Sequence, residues 1–155
     1  MGNILHIIYN PVLVVSVCAW FVAQVIKFFI NGFVHKKFSF GRLVGDGGMP
    51  SAHSATVSAL VCMTAMAEGV TSTSFAIAFV LAVIVMHDAS GVRRETGKQT
   101  VVIKSAVQVI NDYFAEKNAE IKTEKLKDLV GHTNLQVVCG ALVGFLATVV
   151  YYLIF

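Results

Sequence analysis

The residues of this chain that could do chemistry lie in three short polar segments, each beside an apolar one. The first, residues 45–54 (GDGGMPSAHS), is a glycine-rich turn that leads through Pro50 and Ser51 into a helix. Glycines let backbone N–H groups converge on an anion, and Ser51 can cap a helix whose N-terminus favours negative charge. His53 could then donate a proton to a leaving oxygen. A flexible loop with a capped helix and an interfacial histidine explains the same residues, and spacing alone leaves both interpretations open.

The second segment, residues 87–99 (HDASGVRRETGKQ), pairs Arg93 with Arg94. Two arginines can neutralise a phosphate dianion with bidentate geometry, and Asp88 at the membrane boundary could orient a cation or a histidine. A basic cap at the cytoplasmic end of a membrane helix is the commoner origin of such a pair. An anion clamp and a basic cap therefore both remain open for this segment.

The third segment, residues 131–136 (GHTNLQ), opens the last helix and gives His132 the same placement as His53. Ionisable groups at a membrane boundary are costly, so several that come from different helix ends indicate a shared site. We predict that a small bundle brings these groups together around an anion. They are Lys27, His53, Asp88, Arg93, Arg94 and His132.

The elements that must position these residues are membrane helices. Of the 155 residues, 56% are hydrophobic and only 14% are charged, which is too apolar for an ordinary soluble domain of this length. No Pro-rich stretch or polar linker divides the chain, so we predict a single membrane domain over residues 1–155. The three cysteines lie inside apolar segments and are expected to be buried packing residues, with no disulfide or redox role.

Hydrophobic runs predict an all-α fold, an integral membrane bundle of about four transmembrane helices. Asn10-Pro11 is expected to start or kink the first helix. In the last, Gly140 and Gly144 form a small-xxx-small pair that lets another helix approach closely. This pair and the shortness of the second and third segments favour a dimer or larger homo-oligomer. The four segments are residues 4–30, 54–67, 74–86 and 135–155.

Residues 89–130, between the third and fourth hydrophobic segments, carry most of the charge. Apolar residues recur there at roughly helical spacing, which predicts an interfacial amphipathic helix. A charged stretch follows over residues 116–128, and its acids alternate with its bases. Alternation is typical of a solvated surface, so no nucleic-acid partner is predicted. The apolar residues of the helix are Val101, Val102, Val109, Ile110 and Phe114.

The distribution of basic residues predicts the orientation in the membrane. Four spans put residues 32–50 and 89–130 on one side, and both termini on the other. All twelve lysines and arginines then fall on the first side, provided that Lys27 snorkels from its helix end. The positive-inside rule places that side in the cytoplasm and the termini outside.

Three motifs, in order along the chain, resemble those of a known family. They are Gly-Gly-Met-Pro-Ser-Ala-His-Ser at 47–54, Asp-Ala-Ser-Gly-Val-Arg-Arg at 88–94 with Gly97 and Gln99 after it, and Gly-His-Thr-Asn-Leu-Gln-Val at 131–137. The chain resembles, over nearly its whole length, the divergent bacterial-and-plant branch of the type 2 phosphatidic acid phosphatase family. Its Pro-Ser-Ala-His segment is similar to the Pro-Ser-Gly-His motif of the wider superfamily, which includes the vanadium haloperoxidases.

The resemblance implies a phosphatase of the bacterial inner membrane that needs no metal or cofactor and acts on a lipid phosphate or diphosphate, of phospholipid or isoprenoid type. His132 would be the nucleophile that becomes a phosphohistidine, and His53 the general acid for the leaving group. Arg93 or Arg94 would clamp the transition state near Asp88. Such chemistry suits a neutral imidazole facing fixed positive charge. The residues implied in holding the phosphate are Lys27, Gly48, Pro50, Ser51, Ala52, Arg93, Arg94 and Gln99.

The sequence departs from the usual family pattern in its first and third motifs, and in the third the arginines lie about forty residues upstream of His132 instead of five. His35 and Leu43 stand where the first motif of the wider family has a lysine and a proline, although Arg42 is kept. Gln136 stands where an aspartate usually follows the nucleophilic histidine, and a glutamine cannot stabilise an imidazolium as a carboxylate does. Asp88 could supply that carboxylate from the third helix.

Three functions are therefore open. The chain is a lipid phosphatase, or a protein that kept the anion pocket and binds or translocates a phosphorylated lipid without cleaving it, or a transporter or scaffold unrelated to phosphate. Turnover separates the first from the second, and indifference to vanadate separates the third from both. A metal site built from the histidines is not expected, because no paired-histidine or Cys/His spacing supports one.

The predicted orientation can be tested with one introduced thiol. In a cysteine-free background, Lys122→Cys should resist impermeant thiol reagents in intact cells, because residue 122 is predicted to face the cytoplasm. Labelling after the cells are opened is the control for reactivity. Rapid labelling in intact cells would contradict the orientation.

Overall fold

The computed structural model describes residues 10–36, 48–114 and 131–155, and these residues form α-helices with no strand among them. In chain order the helices are α1 Pro11–His35, α2 Ala52–Glu68, α3 Thr73–Ser90, α4 Val92–Phe114 and α5 Asn134–Ile154. The prediction of an all-α bundle is confirmed. The charged stretch predicted over residues 116–128 lies outside the described residues.

Side-chain caps fix where the helices begin. The Asn10 carboxamide oxygen accepts hydrogen bonds from the backbone N–H groups of Val12 and Leu13, at 3.0 and 3.2 Å, and Pro11 takes the first position of α1. Asn10-Pro11 therefore starts the helix and does not kink it. The caps of α2, α3 and α5 work in the same way and are Ser51, Ser72 and Thr133.

Helix α2 lies at the centre of the described bundle and contacts α1, α3 and α5. The Ser58 hydroxyl of α2 donates to the Ala141 carbonyl of α5 at 2.9 Å. Small side chains let helix backbones approach closely, and this contact holds membrane helices together where lipid gives little hydrophobic driving force. The core between α1 and α2 accordingly consists mainly of alanines: Ala19, Ala23, Ala52, Ala55 and Ala59.

Gly140 and Gly144 of α5 face α2 within the same chain. A Cβ atom at Gly140 would lie 2.9 Å from the Ser54 Cβ, and one at Gly144 would lie 2.8 Å from the Ala59 backbone nitrogen. Both distances are shorter than real side-chain carbons show. The small-residue pair therefore packs α5 against α2 of the same chain. It no longer supports the predicted dimer. The oligomeric state itself stays a prediction.

Three stretches of the described chain are long and apolar enough to cross a membrane: Pro11–Val34, Thr73–Tyr113 and Asn134–Ile154. Large apolar side chains cover their outer surfaces, and Phe21, Ile77 and Leu153 are each more than half exposed. Exposing so broad an apolar surface to water is unfavourable, whereas contact between this surface and lipid is not. The molecule is therefore a membrane helical bundle, with the 17-residue α2 in its middle. Cys18 is exposed on the outer surface, so the expectation that it is buried is wrong.

Helix α4 follows α3 after a turn at Gly91 and carries an exposed apolar face. Val102, Val109 and Tyr113 are each at least two thirds exposed, and helical spacing puts them on one side. Thr100 lies on the opposite, buried side. The amphipathic helix predicted from the sequence is therefore present, and its position at the membrane interface stays a prediction.

Candidate active site

The residues just before α2 join this helix to α5. The Ser51 hydroxyl caps α2 by accepting from the Ser54 N–H at 3.3 Å, and the Ser54 hydroxyl donates to it at 3.0 Å. The Ser51 N–H itself donates to the Gln136 backbone carbonyl at 3.0 Å. Pro50 and Ala52 are buried on either side. These residues hold two helix ends together, and the N–H of Ser51, a residue implied in holding the phosphate, is engaged with α5.

Lys27 of α1 lies beneath this segment. It is 2% exposed, and a Cβ atom at Gly48 would lie 3.4 Å from its Cγ and 3.3 Å from the Asn31 side-chain nitrogen. The φ of Gly48 is 89°, a left-handed conformation that favours glycine. Lys27 is therefore a buried cation and does not snorkel to water, which corrects the sequence-based expectation. Asn31 is not among the predicted site residues, although its spacing of four from Lys27 places both on one face of the helix.

His132 lies just before α5 and is held against the corner between α3 and α4. Its backbone N–H donates to the Ala89 carbonyl at 2.9 Å. Gly131 packs so closely on this corner that a Cβ atom there would lie 2.7 Å from the Arg93 carbonyl carbon. The segment that carries His132 therefore lies next to the Arg93-Arg94 backbone, although the two segments are far apart in the sequence.

A capping box orients the His132 ring. Thr133 accepts from the Gln136 N–H at 3.4 Å, and the Gln136 side-chain oxygen accepts from the Thr133 N–H at 3.0 Å. The same oxygen lies 3.3 Å from His132 Nδ1. In the tautomer protonated at Nδ1, the ring donates to this atom, which is the carbonyl oxygen of the amide because it accepts from a backbone N–H. Nε2 is then left with its lone pair.

Gln136 therefore takes the orienting position that the family pattern gives to a carboxylate. Asp88, the other candidate for that position, accepts instead from Arg93 Nε at 2.7 Å. Of the two partners predicted for Asp88, a cation and a histidine, the structure shows the cation. The spacing of Thr133 and Gln136 is itself the signature of a capping box, so the sequence did contain a signal for this orienting contact.

The rings of His53 and His132 come close together although they belong to different helices. Their centres are 6.2 Å apart and their planes are inclined by 60°. The two imidazoles are therefore near neighbours at the starts of α2 and α5. Helices α1, α2 and α5 thus bring together Lys27 and two imidazoles beside two helix N-termini, where an anion is favoured.

Burial lowers the pKa of His132 below its ordinary value of 6.5, and the positive charges of Lys27 and His53 lower it further. Hydrogen bonds to Gln136 and to the Gly48 backbone raise the pKa without reversing the shift. The neutral form of the ring therefore predominates at pH 6.5 and above. A neutral His132 keeps the Nε2 lone pair available as a nucleophile at neutral pH.

The arginine side chains are exposed on α4. Arg93 pairs with Asp88 through side chains that are nearly half exposed, and Arg94 and Gln99 are exposed on α4. An exposed ion pair contributes about 0–1 kcal/mol. Arg93 can therefore exchange Asp88 for a phosphate oxygen with little loss of stability.

Comparison with known proteins gives matches over nearly the whole chain. The family model described as "Divergent PAP2 family" matches residues 8–147, which include all three polar segments. The protein described as "Uncharacterized membrane protein YuiD" from Bacillus subtilis (strain 168) is 41% identical over 152 residues, which cover 94% of this chain and 96% of that protein. No solved structure matches the chain.

Removing the charge of Lys27 should raise the pKa of His132. In Lys27→Met one of the groups that lower this pKa is lost, so the ring should protonate at a higher pH than in the wild-type protein. The nitrogen chemical shifts of labelled histidine side chains in detergent micelles, followed as the pH falls, report the midpoint. The His132 signal is assigned by its loss in His132→Gln.

Lys98→Met is the matched control for this titration, because Lys98 is exposed and pairs with Glu95 on α4. It should leave the His132 midpoint unchanged. An unchanged midpoint in Lys27→Met would show that the two charges do not interact.

Proposed function

Since the chain belongs to the Divergent PAP2 family, we propose that it is a metal-independent membrane phosphatase that hydrolyses a lipid phosphate or diphosphate through a phosphohistidine. The observation that carries this proposal is the pair of imidazoles at two helix starts, with ring centres 6.2 Å apart beside a buried lysine. Such a pair offers both a nucleophile and a proton donor to one phosphoryl group.

In the first step, the Nε2 lone pair of His132 attacks phosphorus while the bond from phosphorus to the leaving oxygen breaks. His53 gives its proton to that oxygen, so the lipid leaves as an alcohol, or as a monophosphate if the substrate is a diphosphate. In the second step, water attacks the phosphohistidine and His53 accepts the proton of the water. Inorganic phosphate leaves, and both histidines return to their starting states.

Charge in the transition state builds up on the equatorial oxygens of the phosphoryl group. Lys27, fixed in position by the packing around Gly48, meets part of that charge without having to reorganise. Arg93 reaches it by leaving Asp88, since their exposed ion pair is weak. In this account Gln136 is a positioning residue, because it acts on the substrate only through the His132 ring.

The apolar outer surface of the bundle supports a lipid as the substrate. The phosphate site lies where α2 and α5 begin, beside Lys27, which is eight residues before the end of α1. A lipid can therefore keep its tail in the bilayer while its phosphate enters the site from the side. We place the protein in the bacterial inner membrane as a multi-pass protein, with this site facing the cytoplasm and both termini outside. The thiol-labelling experiment at residue 122 tests that orientation.

Purified protein should release phosphate from lipid phosphates in detergent or liposomes without added metal, and vanadate should inhibit it. His132→Ala should reduce release to background, because the nucleophile is lost. His53→Ala should lower the rate by roughly 10²–10⁴-fold, the usual contribution of general acid–base catalysis. His87→Ala is the matched control: this histidine is exposed at the end of α3 and should be dispensable. Release that survives His132→Ala would rule out the phosphohistidine route.

One observation favours a second candidate, a protein that binds or translocates a lipid phosphate without cleaving it. Gln136 is neutral, so it orients His132 but stabilises an imidazolium less than a carboxylate would. The same assay separates the two candidates. If folded protein binds a phospholipid but releases phosphate from none of the lipid phosphates tested, the second candidate is favoured. Gln136→Asp and Gln136→Glu should then be tested for gain of phosphatase activity.

A further inference from the structure

The segment that carries His132 contacts both sides of the corner where α3 ends and α4 begins. The His132 backbone N–H donates to the carbonyl of Ala89, in the last turn of α3, at 2.9 Å. Carbonyls in the last turn of a helix lack a partner within that helix, so this hydrogen bond satisfies one of them. The preceding residue, Gly131, lies against the backbone of the first turn of α4. Two consecutive residues thus attach the histidine to two helices.

The contact with α4 is so close that position 131 has room only for a glycine. A Cβ atom there would lie 2.7 Å from the Arg93 carbonyl carbon, and the Arg94 backbone nitrogen would be closer still. Real side-chain carbons essentially never lie within 3.0 Å of another such atom. The atoms in the way belong to a helix backbone, which cannot turn aside as a flexible side chain can. Any side chain at this position would therefore push the His132 segment away from α4.

The bundle has other means of holding α5 in place. Gly140 and Gly144 pack α5 against α2, and the Ser51 N–H donates to the Gln136 carbonyl in its first turn. The contact at the corner joins something else: the segment of the proposed nucleophile and the turn of helix that carries the arginines. We therefore expect its effect in the chemistry more than in the stability of the fold.

The ion pair between Asp88 and Arg93 lies at the same corner. Asp88 belongs to the last turn of α3 and Arg93 to the first turn of α4, so their contact at 2.7 Å links the two helices across Gly91. A phosphate that takes Arg93 from Asp88 removes this link and attracts the start of α4. Because the Arg93 backbone lies against the residue before His132, a shift of this turn also shifts the histidine.

We propose that Gly131 is a positioning residue that couples Arg93 to His132, so that binding of a phosphate by the arginine brings the nucleophile into line. This inference rests on the proposed phosphatase and adds a form of regulation to its site, because the nucleophile is fully placed only when Arg93 holds a phosphate. A displacement of about 1 Å can cost a factor of about 10² in rate, so a small shift of the corner is sufficient.

A double-mutant cycle tests the coupling, with diacylglycerol phosphate in detergent micelles as the substrate. Arg93→Met alone should lower kcat/KM by about 10²-fold, the usual loss when one donor to the transition state is removed. Gly131→Ala alone should lower kcat/KM by about 10²-fold, because it moves His132 off the corner. In the Gly131→Ala background, Arg93→Met should then cost less than about tenfold, since the arginine no longer acts on the nucleophile.

Two controls separate this coupling from a general loss of stability. Gly144→Ala also adds a methyl group to a close helix contact, 2.8 Å from the Ala59 nitrogen, but it lies twelve residues after His132, within α5. In that background Arg93→Met should still cost about 10²-fold. Lys98→Met, at an exposed cation of α4, should leave kcat/KM unchanged with or without Gly131→Ala.

An equal loss from Arg93→Met in the wild-type and Gly131→Ala backgrounds would overturn the proposal, as would a Gly131→Ala variant with wild-type kcat/KM. If Gly131→Ala does not fold, Ala89→Gly takes its place in the cycle. This change adds no atom and loosens the last turn of α3, whose carbonyl holds His132, so it should also reduce the cost of Arg93→Met. An undiminished cost in that background would count against the coupling in the same way.

If wild-type protein releases no phosphate, the phosphatase fails, and binding of vanadate decides whether the coupling exists. The nitrogen chemical shift of His132 reports that binding. Arg93→Met should weaken the vanadate affinity about tenfold in the wild-type background, as expected for one lost charged hydrogen bond, and less in Gly131→Ala. Equal weakening in both backgrounds, or no binding of vanadate to the wild-type protein, would refute the assignment.

Discussion

The close contact between α2 and α5 sets the distance between the two histidines, and the rest of the site depends on that distance. Gly140 and Gly144 allow the contact, because a Cβ atom at either position would overlap α2. The hydrogen bond from the Ser51 N–H to the Gln136 carbonyl closes it at the site end. In lipid, apolar surface alone gives helices little reason to associate, so backbone proximity and hydrogen bonds must provide the stability. The geometry of the candidate site is therefore a direct result of how the bundle packs.

Gln136 links this packing to the chemistry. Its backbone carbonyl accepts from the first residue before α2, Ser51, and its side-chain oxygen lies 3.3 Å from Nδ1 of the His132 ring. A carboxylate at the same place would favour the protonated ring, whereas the neutral amide orients the ring and leaves burial to keep it neutral. Lys27 and His53 act in the same direction as burial. A phosphate bound beside Lys27, His53 and His132 would bring negative charge close to these groups, which favour it. The same few residues would therefore bind the substrate and orient the nucleophile.

Much of this could be predicted from the sequence, and the physical reasons are clear. Apolar runs and caps such as Asn10 with Pro11 predict the helices, because they reflect local preferences that tertiary contacts do not override. The motif spacing predicts that His53 and His132 open two helices at the same end of the bundle. Partner choice was not predictable, since it depends on contacts between residues distant in sequence: Gly140 and Gly144 pack against their own chain, Lys27 is buried, and Asp88 binds Arg93. The sequence shows that Gln136 is not a carboxylate and that it can form a capping box with Thr133, but its contact with the His132 ring depends on where the folded chain places that ring.

The central claim is that His132 forms a covalent bond to phosphorus, and trapping that intermediate tests it most directly. Protein mixed with a lipid phosphate is quenched in alkali, in which phosphohistidine survives, and the modified residue is identified by mass spectrometry. The account predicts phosphate on His132 in the wild-type protein and none in His132→Ala. In His53→Ala the second step is slowed, so phosphate on His132 should be more abundant than in the wild-type protein. This last comparison needs a substrate whose leaving group requires no protonation, because the first step must still occur. Turnover with no phosphate on His132 at any time point, or with phosphate on another residue, would contradict it.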